Sequence, residues 1–169
     1  MKLASVQAIA RALNDARVPF IVAGGLAVNA HGFGRLTWDV DLVIRLDPDA
    51  IRRAFAALGS LGYAPLVPIT ADSFADPAQR EQWIREKGMV VLSFHSEAHR
   101  ETPVDVFAAE PFDFGAEYER SLVQEVAPGV PVRILALDTL VRLKRAAGRP
   151  QDEADLAELR LLHGDMGDG

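Results

Sequence analysis

Apolar residues recur along the chain at two spacings, which predict helices in some segments and strands in others. Helical spacing over residues 3–16 predicts an amphipathic helix, and the apolar run 19–23 predicts a short buried strand after it. Residues 38–44 alternate with a period of two, as in a half-buried strand. Residues 89–94 and 103–107 predict two more strands, joined as a hairpin by the polar turn between them. Strands interleaved with helices are typical of an α/β domain.

Proline and aspartate mark where the next helices begin. Asp47-Pro48 and Asp76-Pro77 each place a capping carboxylate and a first-turn proline ahead of a helix. Gly88 ends the second of these helices, because glycine readily adopts the left-handed conformation that terminates a helix. Between the two helices, residues 65–76 are rich in helix-breaking residues and predict a loop.

The last third of the chain predicts two strands followed by two helices. Residues 121–126 and 130–135 have the pattern of short strands, and Gly148-Arg149-Pro150 separates the two final helices. We therefore predict one α/β (α+β) domain over residues 1–163, with a mixed β-sheet flanked by helices and a C-terminal helical pair. Residues 164–169 are polar and rich in glycine, and we expect a flexible tail there.

Length and composition exclude several classes of protein. With 169 residues the chain can bury a core of its own, and without cysteine it has neither disulfides nor thiolate metal ligands. The net charge of −6 argues against a general binder of phosphate backbones, which needs many lysines and arginines. No apolar run approaches the ~18–20 residues of a membrane span, and the N-terminus lacks a signal-peptide pattern. We therefore expect a cytoplasmic protein with no membrane partner.

A pair of glycines follows the first predicted strand. Gly24 and Gly25 allow a tight turn there and let a ligand approach bare backbone, and residues 26–30 then predict a short helix. A strand that enters a helix through glycines directs unpaired N–H groups at whatever lies beside the turn. Phosphate is the ligand most often bound in this way, so the turn predicts a phosphate site.

Three aspartates are candidates for metal binding. The period of two places Asp39 and Asp41 on the same face of their strand, and Asp105 is the single carboxylate in an otherwise apolar strand. If these two strands are neighbours, the three carboxylates converge and repel one another unless a cation lies between them. Hard oxygen ligands in a chain without cysteine suit Mg²⁺ or Mn²⁺.

Together these motifs resemble the nucleotidyltransferase superfamily. Gly24-Gly25, the run Arg35-x-Thr37-x-Asp39-x-Asp41 and Asp105 on a later strand are most similar to its small prokaryotic AbiEii toxin-like group, in which a C-terminal helix carries a lysine. The resemblance extends from about Val18 to Leu162. It implies a nucleotidyltransferase-like fold and an Mg²⁺- or Mn²⁺-dependent enzyme that binds ATP or another NTP, transfers its NMP to a hydroxyl acceptor and releases pyrophosphate.

The resemblance also implies a role for each matching residue. Asp39, Asp41 and Asp105 are expected to be the metal ligands and the catalytic residues, and Asp105 also to activate the acceptor hydroxyl as a base. The nucleotide-binding residues are expected to be Gly24, Gly25, Arg35, Thr37 and Lys144.

The acceptor and the biological role stay open at the level of sequence. The acceptor could be a tRNA 3′ end, a protein side chain or a small molecule, and by analogy with the family the protein could be the toxin of a toxin–antitoxin or phage-defence pair with a cognate antitoxin. An aminoglycoside-type antibiotic nucleotidyltransferase is one alternative and predicts an acidic acceptor pocket, whereas a tRNA acceptor predicts a basic rim. A non-catalytic module that binds a nucleotide or a partner is the other.

Some of these residues also have purely structural interpretations. A D-x-D pair is common on exposed strand edges, and Lys144 lies between Arg142 and Arg145, where a solvated helix face is the ordinary expectation. The acidic residues at the start of the last helix are expected to lie in solvent and to favour its N-terminus, although Asp155 could contact Lys144 or Arg149.

Overall fold

The structure is a computed structural model that describes residues 1–164 of the chain. The predicted tail at 164–169 lies, except for Gly164, outside the described residues. Within residues 1–164 the helices are α1 (Leu3–Asp15), α2 (Gly24–Ala30), α3 (Pro48–Ser60), α4 (Ala71–Ala75), α5 (Pro77–Lys87), α6 (Phe114–Arg120), α7 (Leu137–Ala147) and α8 (Pro150–His163). None of the helices in this range is long and apolar enough to cross a membrane.

One mixed sheet joins all the strands of the described residues. Its strands are β1 (Phe20–Val22), β2 (Val40–Ile44), β3 (Ala64–Pro65), β4 (Val91–His95), β5 (Val104–Phe107), β6 (Leu122–Ala127) and β7 (Val130–Ile134). Their order across the sheet is β3-β4-β5-β2-β1-β7-β6. The β2–β5 and β1–β7 pairs are parallel, and the other pairs are antiparallel.

The register of the central strands determines where the site lies. β2 and β5 are parallel with Asp41 opposite Asp105, so the two carboxylates share a face at the start of both strands. β1 is antiparallel to β2 and ends at Val22, so the glycines that follow β1 lie at this same end of the sheet. The glycine turn and the aspartates therefore lie together at one end of the central strands.

The central strands are apolar because their side chains form the middle of the core. All three residues of β1 are buried, as are the alternating residues Val40 and Leu42 of β2, which pack in the apolar layer with α1 and β7. An apolar cavity of about 450 Å³ lies in this layer, on the opposite face of β2 from Asp41. Its lining has no carboxylate, so it is separate from the edge that carries the aspartates.

Most predicted elements are present, and the differences lie in short elements. The predicted hairpin is β4–β5, and the capped helices begin at Pro48 and Pro77 as expected. The predicted loop 65–76 instead contains the end of β3 and the one-turn helix α4, which Thr70 and Ser73 cap reciprocally. The seven-residue helix α6 had not been predicted, because a helix this short shows few periods of its apolar pattern.

Candidate functional site: three aspartates against a glycine turn

The structure brings Asp39, Asp41 and Asp105 together. Each offers a carboxylate oxygen, and these oxygens all lie within 4.8 Å of one another. All three side chains are partly buried at the end of the sheet where β2 and β5 begin. Three partly buried anions at this distance repel one another strongly, so the arrangement requires positive charge nearby.

The pKa values of two of these carboxyls reflect the crowding. Burial, and then repulsion from Asp39 and Asp105, raises the pKa of Asp41 from 3.8 to about 7, against the opposing effect of Arg149 and Lys144. Burial is also the main cause of the raised pKa of Asp105; a Ser93 hydrogen bond opposes it. A divalent cation among the three oxygens would reverse this effect, because its charge favours the ionised form. The oxygen donors and their spacing therefore fit Mg²⁺ or Mn²⁺.

The glycine turn packs directly on the same aspartate. Gly24 has φ +57°, in the left-handed region that glycine adopts without strain, and a Cβ at this position would overlap the Asp41 carboxylate. A Cβ on Gly25 would lie 2.5 Å from Thr37 Oγ1 and 2.8 Å from Arg35 Nη2. Neither position has room for a side chain, and the backbone of the turn therefore lies against the R-x-T-x-D-x-D segment.

The segment that follows α2 is held by short hydrogen bonds. The Asn29 side chain accepts from Arg35 N at 2.9 Å and donates to Arg35 O at 3.0 Å, which fixes the Arg35 backbone to α2. Thr37 is buried, and its hydroxyl donates to Asp39 Oδ1 at 3.3 Å. The arginine and the threonine thus position the turn and the first aspartate.

Replacing Gly25 by alanine is expected to destabilise the fold by about 1–3 kcal/mol, because the new methyl group displaces Thr37 and Arg35. Gly59→Ala is the matched control. Gly59 lies within α3 with no atom near the position of a Cβ, so this change should be neutral or stabilise by up to about 1 kcal/mol. Urea denaturation of the two variants measures both effects. Equal stabilities would contradict the close packing at Gly25.

A second cluster of charges lies next to the aspartates, between α7 and α8. Lys144 is buried, and its Nζ donates to Asp152 Oδ1 at 2.9 Å and to Asp155 Oδ2 at 2.7 Å. Arg149 Nε donates to Asp152 Oδ2 at 2.7 Å. Arg35 Nε lies 3.0 Å from Asp155 Oδ1, an ion pair in which that nitrogen makes no hydrogen bond. This cluster connects the C-terminal helical pair to the loop that carries Arg35.

The predicted site residues therefore occupy one region, and their functional roles stay predictions. The glycines, Arg35, Thr37 and the three aspartates surround the sheet edge, while the Lys144 ammonium is enclosed by two carboxylates. Arg149 and Asp152 were not among the predicted site residues. Asp152 and Asp155 were predicted to lie in solvent, but these two aspartates are buried. The sequence did contain a signal for this burial, because Asp152 and Asp155 share a face of α8 with the buried Leu159.

Comparisons with known proteins identify the fold. No family model and no curated protein matches the chain. A crystal structure of ANT(2'')-Ia in complex with adenylyl-2''-tobramycin aligns with a TM-score of 0.60 and 14% identity, over 96% of this chain and 89% of that one. A solution structure of the antibiotic-resistance factor ANT(2'')-Ia aligns with a TM-score of 0.58 and 16% identity, over 95% and 80%. JHP933 from Helicobacter pylori aligns with a TM-score of 0.53 and 15% identity, over 96% and 66%.

The likeness extends over almost the whole described chain and shows the fold. ANT(2'')-Ia is an aminoglycoside nucleotidyltransferase, so the predicted α/β fold with a nucleotidyltransferase-like mixed sheet is confirmed. The AbiEii-like group stays a prediction that rests on the sequence motifs.

Proposed function

We propose that this protein is a Mg²⁺-dependent nucleotidyltransferase that moves an NMP from an NTP to a hydroxyl acceptor and releases pyrophosphate. One observation carries the proposal: Asp39, Asp41 and Asp105 converge where the Gly24-Gly25 turn packs against Asp41, Thr37 and Arg35. Carboxylates for a metal beside a glycine turn at the start of a helix suit a magnesium nucleotide. The fold shared with ANT(2'')-Ia supports the same reaction class.

The three aspartates are the residues that would hold the cation, with Mn²⁺ as the alternative ion. When bound, the cation supplies charge that neutralises the triphosphate oxygens and the three carboxylates. Asp105 is the carboxylate proposed to accept the proton of the acceptor hydroxyl, because it faces the same site from the neighbouring strand. The glycine turn contributes N–H groups to the phosphates, and Arg35 contributes its guanidinium.

A small hydroxyl-bearing acceptor has a precedent on this fold. The ANT(2'')-Ia complex contains adenylyl-2''-tobramycin, in which the nucleotidyl group is carried by a small molecule. The finer assignments, an AbiEii-like toxin with a cognate antitoxin and a tRNA or protein acceptor, rest on the R-x-T-x-D-x-D run. A map of charge around the acceptor side of the aspartates separates a cationic small molecule from a nucleic acid.

Calorimetric titration of non-hydrolysable ATP, CTP, GTP and UTP analogues tests the proposal. With Mg²⁺ present, at least one analogue should bind, and either EDTA or Asp39→Asn should weaken binding by about tenfold or more. Asp49→Asn is the matched control, because this aspartate lies exposed on α3. If the folded protein binds no analogue, the nucleotidyltransferase proposal fails and a partner-binding module becomes the better interpretation.

A further inference from the structure

The charge cluster between α7 and α8 has two carboxylates that each contact Lys144 and one arginine. Asp152 accepts from Lys144 and from Arg149, and Asp155 accepts from Lys144 and pairs with Arg35. Both aspartates are almost fully buried, whereas Arg149 is exposed and Nη2 of Arg35 lies against Gly25 of the glycine turn. The buried Lys144, Asp152 and Asp155 therefore hold two guanidinium groups.

We infer that Arg149 is a phosphate-binding residue of the nucleotide site, that Asp152 positions it, and that Lys144 is the buried counter-charge of this arrangement rather than a phosphate ligand. The inference rests on the proposed function and assigns the cation that contacts the pyrophosphate part of the NTP. It moves the role expected for Lys144 to a residue five positions further along the chain.

The surroundings of Lys144 argue against contact with phosphate. Its side chain is 6% exposed, and its ammonium already donates to two carboxylates, at 2.9 and 2.7 Å. Moving that ammonium to a phosphate would leave Asp152 and Asp155 buried without their shared cation, which costs several kcal/mol. Lys144 is therefore more stable where it lies than at the nucleotide.

The surroundings of Arg149 are those of a ligand-binding arginine. Its side chain is 74% exposed, and Asp152 holds it through Nε at 2.7 Å and Nη2 at 3.3 Å, so the guanidinium has a fixed orientation. Asp152 shares Lys144 with Asp155, the partner of Arg35, so Arg149 belongs to the same charge cluster that reaches Gly25 of the glycine turn. A guanidinium held in one orientation binds phosphate oxygens with two N–H groups at little entropic cost.

Arg35 and Asp155 repeat the arrangement on the other side of the cluster. Arg35 is fixed at its backbone by Asn29 and at its side chain by Asp155, and its Nη2 lies against Gly25. The two buried aspartates thus act as positioning residues for a pair of arginines. Arg35 and Arg149 would supply positive charge to a triphosphate bound at the glycine turn.

Titration of magnesium pyrophosphate tests the inference without knowledge of the base or the acceptor. Wild type should bind this probe, and Arg149→Gln should weaken binding by about tenfold or more, because a charge-assisted bidentate contact is lost. Arg142→Gln removes the same charge from an exposed position of α7 and should change the affinity by less than about twofold. Arg149→Lys keeps the positive charge but lacks the planar guanidinium that binds phosphate with two N–H groups. It should therefore recover only part of the affinity that Arg149→Gln loses.

A double-mutant cycle separates positioning from a merely structural role of Asp152. Asp152→Asn should weaken pyrophosphate binding by about threefold or more in wild type and by less than about twofold in Arg149→Gln. Equal losses in both backgrounds would show that Asp152 does not act through Arg149, and an Arg149→Gln loss below about twofold would show that Arg149 does not bind the phosphate; either result overturns the inference. If wild type binds neither magnesium pyrophosphate nor any NTP analogue, the proposed function itself has failed.

Discussion

Asp41→Asn is expected to abolish nucleotidyl transfer and at the same time to stabilise the metal-free protein. Loss of a metal ligand should lower the transfer rate by about a thousandfold or more, because the charge that opposes the triphosphate is no longer held in place. Asparagine fills the same space beside Gly24 without the repulsion from Asp39 and Asp105. The free energy of unfolding at pH 8 should therefore rise by about 2–4 kcal/mol relative to wild type in EDTA.

The pH dependence distinguishes this explanation from a general effect of the substitution. The pKa of Asp41 rises from 3.8 to about 7 on folding, so its contribution to stability is present below pH 3.8 and is lost as the pH rises through 7. Wild type should lose this stability between pH 4 and 7, and Asp41→Asn should not. Urea denaturation at pH 5 and 8 measures the difference, with Asp49→Asn as control.

Magnesium should stabilise wild type and not the Asp41→Asn variant. Binding to the native state alone stabilises wild type by mass action, whereas Asp41→Asn should show little or no response to the ion. A variant that retains transfer activity, or that is no more stable than wild type at pH 8 in EDTA, would contradict the assignment of Asp41 as a crowded metal ligand.

The glycine turn and the D-x-D pair could be predicted because their information is local. Gly24-Gly25 follows an apolar run directly, and the alternation along residues 38–44 alone places Asp39 and Asp41 on one face. Asp105 is different, because its place beside Asp41 depends on strand order, and β5 comes after β3 and β4 along the chain. The sequence supplied the candidate carboxylate, and only the sheet pairing brought it to the site.

The buried charge cluster could not be predicted from residue type, because aspartate at the start of a helix is ordinarily solvated. Asp152 and Asp155 are buried since α7 and α8 pack together and place Lys144 between them. Burial would raise the pKa of Asp152, but hydrogen bonds from Arg149 and Lys144 outweigh it and lower that pKa. The spacing of the two aspartates along α8, which places them on the same face as the buried leucines, is the feature of the sequence that indicates their burial.

The position of this cluster explains how the ends of the chain form one site. The turn and the D-x-D segment come from the first residues of the sheet, while the cations on α7 and α8 come from the last described helices. The Arg35–Asp155 ion pair joins them across a buried boundary. The site is therefore complete only when the C-terminal helical pair packs against α2 and the loop after it, so variants of this cluster should affect folding and nucleotide binding together.

Lys144→Met is expected to cost about 3–5 kcal/mol of unfolding free energy, because it leaves two buried carboxylates without their shared cation. Methionine retains most of the aliphatic volume of lysine, so the loss reports the charge rather than a cavity. Lys87→Met is the matched control: this lysine lies exposed at the end of α5, and the same substitution there should change stability by less than about 0.5 kcal/mol.

Removing one of the orphaned carboxylates should reverse part of that loss. In the Lys144→Met background, Asp155→Asn takes away a buried negative charge whose remaining partners, within residues 1–164, are Arg35 and Gln151. The double variant should therefore be more stable than Lys144→Met alone. Urea denaturation of wild type and of both variants measures these effects. A Lys144→Met loss below about 1 kcal/mol would mean that the lysine does not hold the two aspartates in place.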